Sequence, residues 1–397
     1  MPNSLPRTLT LLLSADDAYA RPLAMTMYSA LVHLNKGWSV DLYIIDGGIS
    51  AENRTRIARV ARETRVDVTL RWISIDSKRV ENLPIVNEWV SLSAYLRLYL
   101  SELLPETCNR VIYVDSDMLI TSSLSALWQK PLEETALCAV QDYFIPYVSS
   151  PLGLNYYEEL GLDPKTPYFN TGLMVINLSH WREQQIGEKA LCHIRTYEDR
   201  LNFHDQEGLN AVVAGNWTPL DPAWNLFVTP PLLRHVPPSA VRSELVAHPH
   251  LFRDAHVFHF AGSKKPWRLG STYHSMRRRW YQYLWQSAWH TPMERWRSIG
   301  TFSAQHAWGW GVYRTRAPRH RIRSAIERSA HTLASAFRNA ARNISAPSVC
   351  NAGTRTRGES HTEIHSMDTQ ESDVLPEDAS QNTSSQKSDH HKKDVAR

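Results

Sequence analysis

The sequence predicts an α/β fold on a mostly parallel sheet, followed by a helical, basic appendage. Three observations carry this. Apolar, β-prone runs alternate with helical patterns through the first hundred residues, the order that builds parallel sheets. A further apolar run, Val111 to Ile120, carries two carboxylates, Asp115 and Asp117. The charge is also uneven: the 397 residues carry a formal +4, yet Lys264 to Arg342 holds 16 Lys and Arg against 2 Glu. Such a block calls for an anionic partner surface.

The elements follow in order. Thr8 to Leu13 is an apolar strand that stops at Ser14, Ala15, Asp16 and Asp17, and Leu23, Met27, Ala30 and Leu31 recur at helical spacing behind it. Ligands of open α/β sheets collect at the carboxyl ends of strands, so Asp16 is placed to meet one. Val40 to Ile45 is a second strand, Gly47-Gly48 a turn, Ser50 to Thr64 a helix and Val66 to Ile75 a third strand. Ser93 to Leu104 reads as a helix carrying Arg97, which is either an i,i+4 partner on a solvated face or a contact near the cleft.

Val111 to Ile120 is then read as one buried strand. Side chains two apart on a strand share a face, so Asp115 and Asp117 converge. Two like charges held together in a buried place call for a cation, and oxygen ligands suit Mg²⁺ or Mn²⁺. An isolated D-x-D is also the pattern of acids in a strand-ending turn that cap the next helix.

After Leu124 to Trp128, Ala136 to Val140 is a strand ending at Gln141 and Asp142, and Tyr143 to Pro167 is rich in loops. In Tyr168 to Leu178 a strand follows Asn170, Thr171 and Gly172, the glycine allowing close approach of a backbone or a sugar. Ser179 to Arg200 reads as one helix capped by Ser179. Asp205, Gln206 and Asn210 lie within a turn or so of one another on the next helix, with Asp205 a candidate cap. His259 ends a strand before Gly262, Lys264 and Lys265, a basic glycine loop that suits a diphosphate.

Length and a 42% apolar fraction allow two domains, or one large domain, 1–266, with a Trp- and Arg-rich appendage, 267–345, and a polar tail, 346–397. The appendage has 7 Trp between Trp267 and Trp310, and Ile322, Ile326, Ala330, Leu333, Phe337 and Ile344 recur at helical spacing. It reads either as a membrane-surface helix with interfacial aromatics or as helices packed on the sheet with arginines facing water. The tail, poor in apolar residues, reads as disordered. No nucleic-acid module accompanies the charge. The 4 cysteines have neither zinc spacing nor a C-x-x-C pair, and no apolar stretch reaches the roughly 20 residues of a membrane span. The expected place is the cytoplasm, with peripheral attachment to the inner leaflet of the cell membrane.

Four separated stretches, ADDAY, YVDSDMLI, FNTGLMVINL with HDQEGLN, and HFAGSKKPW, together resemble glycosyltransferase family eight, the group of glycogenin and the bacterial lipooligosaccharide galactosyltransferases. The resemblance runs from about Leu9 to Trp267. It implies a nucleotide-sugar-binding, Rossmann-like domain of the GT-A type, a divalent metal, usually Mn²⁺, and retaining transfer of a hexose from a UDP donor to a glycan or glycolipid acceptor. Carried over by motif, Asp115, Asp117 and His259 resemble the metal ligands. Ala15 and Asp16 resemble the uracil or ribose contact, Arg97 the basic residue that reaches the donor, and Gly262 with Lys265 the diphosphate contact. Ser116, Asp142, Asn170 and Thr171 join the donor-binding set, and Gln206 and Asp205 would flank the transferred sugar as candidate catalytic groups. Two departures stand out: Ala18 where the family often has Asn, and Glu207 where Asp is common, the latter expected outside direct contact with the donor. The alternative is a non-catalytic nucleotide-sugar-binding protein of the same fold, with Ala18 its one hint. A metal-dependent phosphodiesterase would need denser clustering of acids and histidines.

Overall fold

A computed structural model describes residues 7–75, 83–84, 92–132, 135–228, 251–262, 265–268 and 274–315, all within one compact unit, Met1–Ala330. The recurrence from Ile322 to Ile344 and the tail 346–397 lie outside the described residues.

The chain opens as expected, with β1 (Arg7–Ala15), α1 (Ala20–Val32), β2 (Trp38–Asp46), α2 (Ala51–Arg62) and β3 (Asp67–Ser74). Ser50 caps α2, accepting the Asn53 N–H. A 3₁₀ run, Leu92–Tyr99, and α3 (Leu100–Leu103) lead to β4 (Arg110–Val114), β5 (Met118–Ile120) and α4 (Ser125–Trp128). Then come β6 (Leu137–Gln141), β7 (Phe169–Asn177), α5 (Leu178–Glu183), α6 (Ile186–Thr196), α7 (Asp205–Val213), β8 (Thr218–Pro219), β9 (Leu226–Phe227) and β10 (Val257–His259). Helices His274–Gln286 and Pro292–Thr315 close the described chain.

The main sheet has seven strands in the order β3-β2-β1-β4-β7-β6-β8, and β5-β10-β9 form a second, small sheet. Strands β1 to β4 pair in parallel, whereas β7 runs antiparallel to both β4 and β6. Side-chain alternation divides the core in two. Leu9, Leu11 and Leu13 of β1 with Ile112 and Val114 of β4 join the cluster that includes α1, whereas Leu12, Val111 and Tyr113 face α6 and α7.

Five sequence expectations are corrected. Val111 to Ile120 is two strands in two different sheets, because the chain turns at Ser116 and Asp117. Ser179 to Arg200 is also broken: Gln185 adopts a left-handed conformation (φ +53°) between α5 and α6, which stops the ladder of the first helix. The cap of α5 is Asn177, accepting from the His180 N–H, while the Ser179 hydroxyl bonds Asn109. Asp205 is the first residue of α7 and not its cap. The Ser93 to Leu104 segment is mostly 3₁₀, with one α turn at its end.

The first part of the basic appendage packs on the domain. Trp280, Leu284 and Trp289 are buried in the core cluster that holds α1 and the sheet. Arg59 of α2 donates to the carbonyls of Ala288 and Trp289, and Arg56 pairs with Glu294. Trp296, by contrast, is 74% exposed on the last described helix. Among the described residues no helix is long and apolar enough to cross a membrane.

Candidate active site

The centre is the turn between β4 and β5. Asp115 leaves the main sheet with its N–H on the carbonyl of Gly172 (2.8 Å), and the Asp117 carbonyl accepts the Phe260 N–H (3.0 Å). The Ser116 hydroxyl donates to the Ser14 carbonyl (2.5 Å), and the Thr26 hydroxyl of α1 lies against the carbonyls of Ser116 (3.0 Å) and Met118 (2.8 Å). Antiparallel pairing sets Met118 opposite His259, which brings the histidine to the acids. Convergence of Asp115 and Asp117 thus comes from a turn anchored on both sides and not from the pleat of one strand. Ser116, expected among donor contacts, is an anchor of that turn.

One ligand atom from each of Asp115, Asp117 and His259 falls within 4.8 Å of the others. His259 Nε2 is 3.4 Å from Asp117 Oδ1 and 3.9 Å from Asp115 Oδ2. Its Nδ1 faces Asn225 Oδ1 at 2.9 Å, and the edge of Phe227 packs on its ring. A Cβ on Gly172 would lie 2.6 Å from His259 Cε1 and 2.7 Å from the Met118 methyl, so this glycine admits the imidazole. Two carboxylates with one imidazole nitrogen fit Mn²⁺ or Mg²⁺, cations that take oxygen ligands and, for Mn²⁺, imidazole readily. Lys265 Nζ bonds Asp117 Oδ2 and the Phe260 carbonyl (2.7 Å), and it sits near the rings of Tyr19 and Trp267. Burial pushes the Asp117 carboxyl up, but Lys265 and His259 together outweigh it and hold Asp117 below the usual carboxylate range. Burial likewise pushes the Lys265 ammonium down, and Asp117, Tyr19 and Asp115 outweigh that, keeping it charged.

Asp142, Asn170, Thr171 and Gln206 form one hydrogen-bonded group beside this centre. Asp142 Oδ2 accepts from Asn170 Nδ2 (3.1 Å) and Gln206 Nε2 (3.2 Å), while its Oδ1 accepts the backbone N–H groups of Phe144 (2.8 Å) and Ile145 (3.1 Å). Gln206 Oε1 accepts from Asn170 Nδ2 (2.9 Å) and the Thr171 N–H (3.2 Å). Burial pushes the Asp142 carboxyl up against these four donors.

Arg97 is buried and is no surface pair. Its Nη2 donates to Asp115 Oδ1 (2.8 Å), its Nη1 to the Thr171 carbonyl (3.0 Å), and its Nε lies 3.0 Å from Asp205 Oδ2. The Tyr113 ring stacks beneath the guanidinium and its hydroxyl donates to Asp115 Oδ1 (2.9 Å). Burial pushes the carboxyls of both Asp115 and Asp205 up, with Arg97 opposing it in each. Asp205 is therefore drawn toward Arg97, whereas its neighbour Gln206 joins the Asn170 group.

Ala15 ends β1 in the core, and the Asp16 carboxylate accepts the Tyr19 N–H (3.0 Å), capping a short turn. Gly262, in a left-handed conformation (φ +82°), follows β10, and Lys264 lies outside the described residues. Glu207 is fully buried: Tyr156 donates to its Oε1 (2.8 Å), and its Oε2 accepts the N–H groups of Asn202 and Phe203. Sequence reasoning missed Asn225 and Tyr113. A single Asn after Trp224 and a Tyr inside an apolar strand carry no sequence signal for the partners that the fold gives them.

Residues 10–269 match the family model for glycosyl transferase family 8. The chain is 30% identical over 281 residues to general stress protein A of Bacillus subtilis, covering 70% of this chain and 93% of that one. It is 25% identical over 268 residues to the lipopolysaccharide 1,2-glucosyltransferase of Escherichia coli, covering 66% and 73%. Its fold superposes on the galactosyltransferase LgtC in complex with donor and acceptor sugar analogs with a TM-score of 0.60 at 25% identity, covering 73% of this chain and 99% of that one.

Proposed function

The chain belongs to glycosyl transferase family 8, and from that premise we propose that it moves a hexose, glucose or galactose, from a UDP-sugar to a saccharide or lipid-linked glycan, with retention of configuration and a requirement for Mn²⁺ or Mg²⁺. The place of action in this reading is the assembly of cell-surface polysaccharide or lipopolysaccharide. The observation that carries it is the convergence of Asp115, Asp117 and His259 within 4.8 Å, next to the buried Asp142 and Asn170 and the half-buried Gln206.

When bound, a divalent cation would offset the charge that develops on a leaving diphosphate. Asp115, Asp117 and His259 would hold it. Lys265, a buried ammonium kept charged by Asp117, would add a second positive group toward the same oxygens. Asn170 and Gln206 present amides to a sugar ring, oriented by Asp142. A retaining mechanism through a covalent intermediate needs a free carboxylate nucleophile about 5 Å from its partner acid. Gln206 is a neutral amide with its carbonyl already accepting hydrogen bonds, and Asp205 is paired with Arg97. Both facts support return of the acceptor on the face the nucleotide leaves, with the leaving phosphate taking the acceptor proton.

The test measures UDP release from UDP-glucose and UDP-galactose with and without Mn²⁺, alone and with lipid-linked and free saccharides. Metal-dependent release with one donor supports the proposal. Absence of turnover and of donor hydrolysis with every UDP-sugar overturns it, and UDP binding without turnover would instead favour the non-catalytic reading to which Ala18 points.

A further inference from the structure

The polarity of one hydrogen-bond chain can be read from a single group whose role is fixed. The Gly172 N–H is a backbone donor, and its partner at 3.0 Å is the side-chain oxygen of Asn170. That oxygen is therefore an acceptor. Asn225 reaches the same Asn170 Oδ1 at 2.8 Å, so Asn225 must present its Nδ2 there. The other end of the Asn225 amide, its oxygen, is then the atom 2.9 Å from His259 Nδ1, and His259 must carry its proton on Nδ1. In the neutral ring, Nε2, the atom 3.4 Å from Asp117 Oδ1, is then the lone pair.

Asn225 is fully buried at the end of the 3₁₀ turn Pro222–Asn225, and its side chain touches both halves of the site at once. Asn170, its partner on one side, passes its own amide protons to Asp142 Oδ2 and Gln206 Oε1. Gln206 cannot be turned round either, because its oxygen accepts the Thr171 N–H. The chain therefore runs in one direction only.

We infer that Asn225 is a positioning residue that fixes the tautomer of His259 and couples the cation centre to the amides that hold the sugar. The part concerning cation affinity rests on the metal reading above, whereas the tautomer does not. An imidazole ligand needs its second nitrogen held by a hydrogen-bond acceptor to present the first as a lone pair, and loss of such a partner weakens metal affinity roughly 10- to 100-fold. Because the same amide also donates to Asn170, the two functions come apart by substitution. Asn225→Leu removes both bonds and keeps the same number of side-chain heavy atoms with the same branching. Asn225→Asp keeps an acceptor for His259 but turns a second acceptor toward Asn170 Oδ1.

The experiment uses the full chain. Long-range proton–nitrogen spectra of the metal-free protein, labelled with nitrogen-15 in histidine and held near pH 8 so that ordinary imidazoles are neutral, report the tautomer directly. His259 is expected as the Nδ1–H form in the wild type and in Asn225→Asp, and as a mixture with the Nε2–H form in Asn225→Leu. Titration of Mn²⁺ in the presence of UDP, followed by electron paramagnetic resonance, is expected to give a Kd raised roughly 10- to 100-fold in Asn225→Leu and within about threefold of wild type in Asn225→Asp. At saturating Mn²⁺, Asn225→Asp is expected to lose at least about tenfold in donor turnover, from the Asn170 side alone. A neutral wild-type His259 in the Nε2–H form overturns the inference, and that measurement needs no variant to fold. Equal Mn²⁺ affinity in Asn225→Leu and wild type, with native melting, also overturns it. A wild type that binds no Mn²⁺ would overturn the metal reading instead, leaving the tautomer spectra to decide the role of Asn225.

Discussion

Arg97 Nε lies 3.0 Å from Asp205 Oδ2, with both side chains almost sealed from water. The same guanidinium holds Asp115 at 2.8 Å, so one buried cation balances two carboxylates from different elements. Removing one partner from such a set leaves uncompensated charge, which costs several kcal/mol. Arg97→Gln is expected to lose about 3–5 kcal/mol of unfolding free energy, measured by urea denaturation at pH 8. At pH 5 the loss is expected to shrink, because carboxyls already pushed up by burial can protonate. An equal loss at both pH values would mean that packing on Tyr113, and not charge, is what Arg97 supplies.

Gly172→Ala introduces a methyl where His259, Met118 and Asn170 already meet, with contacts of 2.6 to 2.9 Å. Overpacking of this kind costs about 1–3 kcal/mol. The imidazole is the group that must yield, so Mn²⁺-dependent turnover should fall by at least about tenfold. Turnover equal to wild type would show that the ring has room that the geometry denies it.

Asp117→Asn keeps the side-chain shape and removes a charge. Donor turnover at limiting Mn²⁺ is expected to drop more than about a hundredfold, while the far-ultraviolet circular dichroism spectrum stays native. Activity within a few fold of wild type would remove Asp117 from the proposed metal ligands.

Burial pushes the Glu207 carboxyl up to about 7, against the N–H groups of Phe203 and Asn202 and the Tyr156 hydroxyl. A group whose folded value is raised favours the folded state below its unfolded value, 4.5, and that contribution is lost as pH rises toward 7. It amounts to about 3 kcal/mol. Unfolding free energy measured across pH 4.5 to 7 should show this decline in the wild type, and Glu207→Gln should flatten it. An unchanged slope in the variant would assign the pH dependence to other groups.

The basic, amphipathic pattern from Ile322 onward predicts salt-sensitive sedimentation with anionic vesicles, each surface Lys or Arg contributing on the order of 1 kcal/mol. Removal of Pro318 onward leaves Trp280, Leu284 and Trp289 in place in the core and should abolish most of that binding. If the shortened protein sediments as fully as the whole chain, the segment from Pro318 is not the anchor, and exposed groups such as Trp296 become the candidates.

Much of the architecture was legible in one dimension. The apolar runs from Thr8 and Val40 stand out because β1 and β2 have neighbours on both sides, the run from Val66 shows as the alternation of the edge strand β3, and the separate motifs carry Asp115, Asp117, His259 and Gln206 in recognisable company. The break at Ser116 was not legible. Asp115, Ser116 and Asp117 sit between apolar residues that are buried on either side, and a continuous strand and two strands in different sheets leave the same pattern. Partners distant in sequence, the Ser14 and Gly172 carbonyls, the Thr26 hydroxyl and the Phe260 N–H, select the turn.

The sequence by itself determined the alternation of strands and helices in the first half, the family, and which residue types the site contains, because these follow from local periodicity and from short motifs. Tertiary structure alone decided the direction of each interaction. It turned β7 against its neighbours, drew Arg97 between Asp115 and Asp205, and set Asn225 between His259 and Asn170. Those pairings join residues 18 to 108 positions apart, and a hydrogen bond or buried ion pair forms only when folding has brought donor and acceptor within about 3 Å. No local pattern encodes that meeting.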